Sequence, residues 1–309
     1  MKKNTSKIFK VLALILIVLT GLFYLLSTPD ISVEELKILY TNEQSKFIEI
    51  DGMQVHFRDE GKGMPIVLIH GTAASLHTWD AWTKTLKNDY RVIRLDIPAF
   101  GLTGPHPEHD YQIKTYSDFL NKFLNKLKID SMHLAGNSLG GEIAWYHAAK
   151  FPEKIRKLIL LDPAGYPFTN GKPWIFTLAR TPILNSIIRN FTPRSIVENN
   201  LHQVYYDESK VNPELVDRYY NMTLRTGNRD AFIERAKTDL IDQTELLKTI
   251  KSPTLIIWGK EDIWIPPSNG YSFQTDIPNA KLIVMDAVGH VPMEEQPFES
   301  LQPVLDFLK

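Results

Sequence analysis

The amino-acid sequence predicts an α/β fold, in which a mostly parallel sheet carries helices on both faces. Short apolar runs alternate with helical patterns from residue 46 onward, which is typical of parallel strands joined by helices. A serine flanked by glycines, within residues 136–140, stands where one of these runs passes into a helix. The chain has 309 residues and is 43% hydrophobic, enough to bury the core of such a domain.

The composition excludes several classes of function. The formal net charge is −1 and no basic stripe is present, so we expect no nucleic-acid partner. The chain has no cysteine, which excludes disulfides, thiolate metal ligands and a cysteine nucleophile, and which fits an oxidising compartment. Histidines and carboxylates are not grouped with metal-ligand spacing, so we expect neither a metal nor another cofactor.

The N-terminus predicts a membrane segment. Residues 11–28 are uncharged and would rise about 27 Å as a helix, close to the roughly 30 Å hydrocarbon core of a bilayer. We interpret them as an uncleaved, single-pass anchor. By the positive-inside rule the basic tail of residues 1–10 stays in the cytoplasm, and residues 46–309 lie outside it. The lysines of the tail are Lys2, Lys3, Lys7 and Lys10.

Two alternatives for this segment stay open. A cleaved signal peptide has a similar charge pattern, and its removal would give a secreted protein. Its apolar region is typically about 7–15 residues and ends at a small-residue site, which the sequence from Leu25 to Pro29 does not resemble. A buried core helix is the other alternative, but core helices are seldom apolar on all sides and flanked by four lysines.

Each predicted strand follows from a short apolar run. The first two strands flank Asp51-Gly52, a pair that suits the primed turn of a β-hairpin. We interpret residues 29–45 as a linker and residues 46–309 as one catalytic domain. The hairpin strands are residues 46–50 and 53–58, the buried strands are residues 65–70, 91–95, 132–135, 158–161, 254–258 and 281–285, and helices are predicted around residues 113–127, 139–150 and 298–308.

One long interval interrupts this alternation. Between about residues 166 and 247 the sequence has helical patterns rich in aromatic residues and no convincing strand. Loops of this length inside a domain usually carry their own structure and a function. Because the strands on both sides belong to the same sheet, we predict a helical cap rather than a separate helical domain.

The motif Gly136-Asn137-Ser138-Leu139-Gly140 predicts a nucleophilic serine. A sharp turn between a strand and a helix strains the backbone of the serine and leaves space only for hydrogen atoms two residues away on either side. The two glycines meet that requirement, and the turn exposes the serine hydroxyl. Glycine-rich turns also serve close packing or phosphate binding, but the strand-to-helix position favours Ser138 as a nucleophile.

A serine hydroxyl is a weak nucleophile without a base that takes its proton. Where this turn occurs, the acid and then the histidine follow the serine along the chain. Three of the nine histidines follow Ser138. His147 lies in the helix that Ser138 begins and His202 lies in the predicted cap, so His290, just after the last strand, is the predicted base. A histidine on a surface loop is the alternative interpretation of His290.

The predicted acid is Asp262, whose carboxylate would orient and support the histidine. It follows the strand at residues 254–258, at the edge of the sheet where the other catalytic loops are expected. Glu261 is its neighbour and Asp162 follows the preceding strand, so both remain alternatives. A capping role in the loop is the non-catalytic interpretation of Asp262.

The loop after the strand at residues 65–70 is expected to complete the oxyanion hole. In this arrangement one N–H comes from that loop and the other from the residue after the nucleophile. We therefore assign the two donors to the backbone amides of Thr72 and Leu139. Ala73 is the alternative donor in the same loop.

Six segments of the chain, taken in order, resemble α/β-hydrolase esterases and lipases. The resemblance covers roughly residues 45–309 and is closest to bacterial lipases and esterases of the GNSMGG type and to membrane-anchored monoacylglycerol lipases. It implies the α/β-hydrolase fold with an eight-stranded sheet, and a triad of Ser138, Asp262 and His290. The segments are HGTAASLHTW, LDIPAFGLTG, LAGNSLGG, LLDPAG, PTLIIWGKEDIWIP and VGHVPME.

The function that we predict is hydrolysis of a small hydrophobic carboxylic ester through an acyl-enzyme. Similar haloalkane dehalogenases and epoxide hydrolases carry aspartate at the nucleophile position, so Ser138 argues against both. Hydrolases that cleave C–C bonds usually have a glycine-rich HGGGPG-like loop and a tryptophan after the histidine, where this chain has HGTAAS and Val291. C–C hydrolysis, a perhydrolase or haloperoxidase activity and a non-catalytic binding role remain alternatives, although an intact triad argues against the last.

Overall fold

A computed structural model describes residues 2–168, 171, 173–239 and 241–309. Met1 of the predicted tail lies outside the described residues, as do the side chains of residues 2–8 and 19, which include three of the four tail lysines. Within the predicted cap the residues outside the description are Thr169, Asn170, Lys172 and Leu240.

Eight strands form one sheet in the order β1-β2-β4-β3-β5-β6-β7-β8. β2 pairs antiparallel with β1 and with β4, and the other neighbouring pairs are parallel. The predicted mostly parallel, eight-stranded α/β fold is therefore confirmed. The strands are β1 (Ser45–Ile50), β2 (Met53–Glu60), β3 (Pro65–Ile69), β4 (Arg91–Leu95), β5 (Met132–Asn137), β6 (Ile155–Leu161), β7 (Thr254–Gly259) and β8 (Ala280–Met285).

The turn between β1 and β2 has the predicted backbone conformation. Asp51 and Gly52 have φ values of 49° and 80°, and a primed two-residue turn requires positive φ at both positions. The register pairs Ile50 with Met53 across this turn. Asparagine, aspartate and glycine tolerate positive φ best, which explains why this pair connects the two strands.

Helices cover both faces of the sheet because alternate residues of each strand enter two separate clusters of buried side chains. Val67 and Ile69 of β3 belong to the larger cluster, whereas Ile66 and Leu68 belong to the other. The larger cluster also holds side chains of α4, α5 and α11, and the other holds those of α3 and α13. These helices are α3 (Asp80–Leu86), α4 (Ile113–Lys126), α5 (Leu139–Lys150), α11 (Ser268–Asp276) and α13 (Pro297–Leu308), with the short α12 (Pro292–Glu295) before the last.

Helices occupy the interval between β6 and β7 where the cap was predicted. The described residues of this interval form α-helices from Trp174 to Lys237 and a short 3₁₀ helix at Thr244–Thr249. Most of their apolar side chains pack on the sheet clusters or on a small cluster that contains Ile175 and Ile188. The cap helices are α6 (Trp174–Arg180), α7 (Asn185–Asn190), α8 (Arg194–Val204), α9 (Pro213–Leu224) and α10 (Asn228–Lys237).

The segment interpreted as a linker contains a helix, α2 (Val33–Tyr40), which differs from the prediction. Ser32 begins it with a capping box, in which its hydroxyl accepts the N–H of Glu35 while the Glu35 carboxylate accepts the N–H of Ser32. Leu36 is fully buried in a cluster with Leu102 and Met222. Residues 33–40 therefore pack as part of the folded unit.

The C-terminal end of the N-terminal helix α1 (Lys2–Leu26), and the residues just after it, contact the cap. The segment Phe9–Leu26 of α1 has a mean hydropathy of 2.5 and is long and apolar enough to cross a membrane, and none of the side chains described in it is buried. The Phe23 ring meets Phe191 at 5.1 Å, edge to face, and the Thr28 N–H donates to the carbonyl of Asn190 at 2.7 Å. The end of α1 is therefore fixed relative to α7.

Candidate active site

The turn at Ser138 has the geometry that its glycines predict. β5 ends at Asn137, α5 begins at Leu139, and Ser138 between them has φ 55° and ψ −119°. A Cβ on Gly136 would lie 2.1 Å from the carbonyl oxygen of Gly140, so no side chain fits there. The strained serine backbone is held by hydrogen bonds, from its N–H to the Leu161 carbonyl at 3.1 Å and from the Ala164 N–H to its carbonyl at 3.0 Å.

The loop after β3 approaches Ser138 closely. A Cβ on Gly71 would lie 3.0 Å from the Cβ of Ser138, and both Thr72 and Leu139 line the same chamber as the serine. Leu139 is the first residue of α5, so its N–H has no partner within the helix. Thr72 and Leu139, the residues predicted to supply the oxyanion donors, therefore line one chamber with the serine, as does Ala73.

The buried side chain of His70 joins this loop to the segment after β4. The N–H of Ile97 donates to Nε2 of His70 at 3.1 Å, so the ring proton sits on Nδ1, which lies 2.7 Å from the carbonyl oxygen of Gly71. Burial lowers the pKa of His70 and keeps its ring neutral. One tautomer therefore holds the backbone of the loop that carries Thr72.

His290 and Asp262 lie in direct contact. Nδ1 of His290 is 2.6 Å from Oδ2 of Asp262, and both side chains are almost fully buried. The other carboxylate oxygen of Asp262 accepts the N–H groups of Trp264 at 2.8 Å and Ile265 at 3.0 Å. These bonds leave one oxygen of Asp262 to orient the histidine.

Asp162 lies behind this pair and is not the residue that contacts Nδ1. Its Oδ1 accepts the N–H of Gly259 at 2.8 Å, and its Oδ2 is buried without a hydrogen-bond partner among the described residues. Burial, and then the charge of Asp262, raise the pKa of Asp162 well above the usual range of a carboxyl group. Two adjacent buried carboxylates cannot both ionise easily, and burial beside Asp262 therefore favours the protonated form of Asp162.

The same three side chains are the group among the described residues whose ligand atoms are close enough to hold a metal ion, namely Asp162, Asp262 and His290. His290 and Asp262 use their facing atoms for a hydrogen bond at 2.6 Å. That distance leaves no space for an ion between the two atoms, since each metal–ligand bond is itself about 2 Å long.

The other candidates from the sequence lie elsewhere. Nδ1 of His147 in α5 lies 3.0 Å from the hydroxyl of Ser117 in α4, and His202 lies 3.5 Å from Glu208 in the cap. Glu261 is half-buried, and its N–H donates to the Val288 carbonyl. The structure thus brings Ser138, His290, Thr72 and Leu139 to one chamber with Asp262 behind the histidine.

The chamber lies between the ends of the strands and the cap. One acidic and one basic side chain are among its described lining residues, Glu142 of α5 and Arg235 of α10, and Oε2 of Glu142 lies 3.9 Å from Nη2 of Arg235. Most of the remaining lining is apolar. The apolar lining residues include Phe168, Ile175, Phe176, Ile188, Ile196, Val197, Leu201, Val204, Phe232, Trp264, Ile265 and Val291.

Backbone contacts join the cap to the loop that carries the histidine. The N–H of His290 donates to the carbonyl of Val204, the last residue of α8, at 2.7 Å. The buried Glu295 accepts the N–H of Gly289 and the N–H of Asp207, both at 2.7 Å. The position of His290 therefore depends on the cap as well as on the sheet.

Sequence reasoning did not find three of these positioning residues, His70, Glu295 and Asn137. The Asn137 amide donates to the carbonyls of His290 at 3.0 Å and Leu161 at 3.2 Å, and so joins the serine turn to the histidine loop. The one sequence signal for Asn137 is its position directly before the predicted nucleophile, Ser138. Nothing in the local sequence marks Glu295, because its partners lie in other segments.

The chain is similar to known proteins in sequence and in structure. The family model of the alpha/beta hydrolase fold matches residues 64–297. The 2-hydroxy-6-oxo-2,4-heptadienoate hydrolase of Pseudomonas putida is 28% identical over 280 residues, which are 86% of this chain and 96% of that protein.

Two solved structures are similar at comparable identity. The meta-cleavage product hydrolase from Pseudomonas fluorescens IP01 is 28% identical, with a TM-score of 0.74 over 86% of this chain and 98% of that one. A thermophilic esterase from Thermogutta terrifontis is 26% identical, with a TM-score of 0.72 over 85% of this chain and 96% of that one.

Proposed function

Because the chain belongs to the alpha/beta hydrolase fold family, we propose that it is a serine hydrolase that cleaves an uncharged, hydrophobic carboxylic ester. That it is a hydrolase follows from the family and its relatives. The ester substrate is the proposal, and it rests on the charge balance of the chamber.

The proposed mechanism assigns one role to each group. Oγ of Ser138 attacks the ester carbonyl carbon while Nε2 of His290 takes its proton, and Asp262 holds the ring through Nδ1. The amides of Thr72 and Leu139 donate to the oxyanion. His290 returns the proton to the departing alcohol, leaving an acyl-enzyme. A water, deprotonated by His290, then releases the acid and restores Ser138.

The chamber favours an uncharged substrate. Arg235 is the one lysine or arginine among the described lining residues, and its Nη2 lies 3.9 Å from Oε2 of Glu142, so a substrate carboxylate would share this one cation with an acidic side chain. A buried carboxylate of a substrate needs a cation or several hydrogen-bond donors to offset its lost hydration. The wall of aromatic and branched side chains instead suits an acyl or alkyl chain.

The second candidate is cleavage of a C–C bond in a vinylogous diketo acid. The relatives favour it more than the ester, because the Pseudomonas putida protein and the Pseudomonas fluorescens structure are both hydrolases of that class. Only the esterase from Thermogutta terrifontis, among the three proteins compared above, points to the ester. At 26–28% identity these relatives have hydrolysis in common but cleave different kinds of bond.

We expect nitrophenyl esters to be turned over, and the diketo acid to give a kcat/KM at least about a hundredfold lower. The reason is that burying an unpaired carboxylate among apolar side chains costs several kcal/mol. Steady-state rates on an acyl-chain series of nitrophenyl esters and on 2-hydroxy-6-oxo-2,4-heptadienoate measure the ratio. A higher kcat/KM for the diketo acid would select the C–C hydrolase instead.

We also propose that α1 anchors the enzyme in a membrane with the catalytic domain outside the cytoplasm. The length, hydropathy and exposure of Phe9–Leu26 support a spanning helix, although a signal sequence has the same properties. The basic tail supports the orientation. Arg229 supports a fixed junction, since its guanidinium binds the Thr28 carbonyl at 2.8 Å and the Asp30 carboxylate at 2.6 Å.

The full chain should pellet with membranes and resist extraction by carbonate or high salt, because a spanning helix is not held by charge. A shortened chain should begin at Ser27, not later, so that Thr28, Asp30 and Ile31 keep their contacts with the cap. That chain should be soluble and active.

Orientation can be measured cleanly because the chain has no cysteine. In intact cells a membrane-impermeant maleimide should label a Lys309→Cys variant and not a Lys10→Cys variant. Soluble protein whose N-terminus lies near residue 28 would establish a cleaved signal peptide, and the reverse labelling pattern would refute the orientation.

A further inference from the structure

We propose that the outer side of α7, together with the turn before it, docks on the surface of the membrane that α1 spans. The inference rests on the proposed anchoring by α1 and adds a second contact between the enzyme and the bilayer. This surface, the α7 face, consists of the exposed side chains of Ile183, Leu184 and Ile187. None of the three lines the chamber or belongs to the proposed catalytic groups.

The α7 face is apolar and lies on the outside of the cap. Ile183 is 84% exposed, and Leu184 and Ile187 are exposed as well. Leu184 and Ile187 are three residues apart, so they lie on the same side of the helix. Single apolar residues are ordinary on a protein surface, whereas an apolar patch formed by neighbouring residues marks a site of interaction.

The backbone of Ile183 gives a second reason to expect a partner there. Its φ is 72°, a region that glycine and asparagine adopt readily and that strains a β-branched residue. Because the side chain is exposed, packing within the described chain does not offset this strain. Strained backbone is concentrated at functional sites, and the exposed apolar side chain of Ile183 indicates an apolar partner outside the chain.

Contacts with α1 identify that partner as the bilayer. Phe23 lies within the apolar segment Phe9–Leu26, and its ring meets Phe191, the residue directly after α7, at 5.1 Å. Phe191 therefore lies level with the last turn of the spanning segment. Ile187 precedes Phe191 by four residues, about one helical turn or 5.4 Å. The α7 face thus continues the surface at which α1 meets the cap.

The charges of this part of the cap suit a bilayer surface. From residue 163 to residue 197 the sequence has four basic residues and no aspartate or glutamate. Its three arginines pair with acidic side chains of other segments, so phosphate groups of lipids meet no unpaired acid from this stretch. Trp174 of the neighbouring α6 is also exposed, and tryptophan is enriched at the boundary between bilayer and water.

Docking would place the membrane one helix away from the catalytic chamber. Ile188 is buried and lines the chamber, whereas the adjacent Ile187 is exposed on the α7 face. Helix α7 therefore forms a wall between the two. Contact with the bilayer would hold this wall, and the orientation of the catalytic domain, relative to the membrane.

Fluorescence quenching on the full chain tests the docking, because a chain without cysteine accepts a single thiol-directed label. Ile187→Cys and Phe298→Cys are each labelled with nitrobenzoxadiazole and incorporated into phosphatidylcholine vesicles. Phe298 is the matched control, an exposed apolar residue at the start of α13 and outside the cap. Lipids with a doxyl group near the headgroup should quench at least about half of the fluorescence at residue 187 and little at residue 298, since interfacial faces lie about 5–10 Å deep.

Charged substitutions supply the second arm of the experiment. With the label on Leu184→Cys, Ile183→Asp and Ile187→Asp together should abolish quenching by the doxyl lipid and allow quenching by iodide present on both sides of the vesicle. The reason is that charged side chains do not enter the apolar layer. Phe298→Asp should change neither signal. Aspartate tolerates positive φ, so the fold should survive, which circular dichroism and thermal unfolding measure.

The possible failures are distinguishable. If the chain is inserted and iodide quenches residues 187 and 298 alike, the α7 face is solvated and the inference is wrong, while the anchor stands. If residue 187 is shielded from iodide and the doxyl lipid does not quench it, a second copy of the chain covers the face, which also overturns the inference. If the full chain does not insert into vesicles, the proposed anchor fails and the docking fails with it.

Discussion

Replacing Ser138 with alanine is expected to lower kcat by about 10⁶-fold, the loss found when the nucleophile of a serine triad is removed. The structure predicts that the fold survives, because alanine keeps the Cβ at φ 55° and removes only the hydroxyl. The hydrogen bonds that hold the turn are made by backbone atoms of Leu161, Ala164 and Ser138 itself, and they stay in place. The loss should therefore appear in chemistry and not in stability.

Steady-state turnover, thermal unfolding and covalent labelling by a fluorophosphonate measure the three parts of this prediction. Ser117→Ala is the control, since Ser117 is buried and binds His147 away from the chamber. It should lower stability by about 1 kcal/mol and keep both turnover and labelling. Residual turnover above about a tenth of wild type in Ser138→Ala would remove the serine from the mechanism.

Asp262→Asn is expected to lower kcat by about 10⁴-fold. The contacts of Asp262 indicate that the substitution would move the ring proton of His290 from Nδ1 to Nε2. Oδ1 of Asp262 accepts two N–H groups, those of Trp264 and Ile265. An asparagine must turn its carbonyl oxygen toward these two donors, which points its NH₂ group at Nδ1 of His290. The ring then accepts at Nδ1 and carries its proton on Nε2, so it cannot take the proton of Ser138.

Asp162→Asn is the control for this change. Burial raises the pKa of Asp162, and its Oδ1 accepts the Gly259 N–H, a bond that an asparagine carbonyl can replace. Its kcat should stay within about tenfold of wild type, the range that one hydrogen bond accounts for. A ring-proton NMR signal of His290 that moves in Asp262→Asn and not in Asp162→Asn would identify the tautomer. A severe loss in Asp162→Asn with Asp262→Asn near wild type would transfer the acid role to Asp162.

The fold and the serine turn could be predicted because their signals are local. The alternation of apolar runs and helices marks parallel strands, and the two glycines around Ser138 stand where only a hydrogen atom fits. The chain order then leaves one histidine after the last strand. None of these predictions requires the order of the strands in the sheet.

The remaining details depend on contacts between distant segments. Glu261 and Asp262 are adjacent in sequence, and only the folded loop shows which carboxylate reaches Nδ1. The raised pKa of Asp162 follows from burial beside another carboxylate 100 residues away. Helix α2 did have a local signal, the Ser32 and Glu35 capping box, but a single short helix between two predicted regions lacks the periodic context that marks the others.

The hydrogen bond between the His290 N–H and the Val204 carbonyl limits how this enzyme can be re-engineered. A cap that only covered the chamber could be replaced by the cap of another enzyme in order to change the substrate range. Here two residues of the cap form hydrogen bonds with the segment that contains the histidine: Val204 accepts the N–H of His290, and the N–H of Asp207 donates to Glu295. A graft that ends at the sheet would therefore change rate and specificity together, and the residues from 204 to 207 should remain with the recipient enzyme in any such exchange.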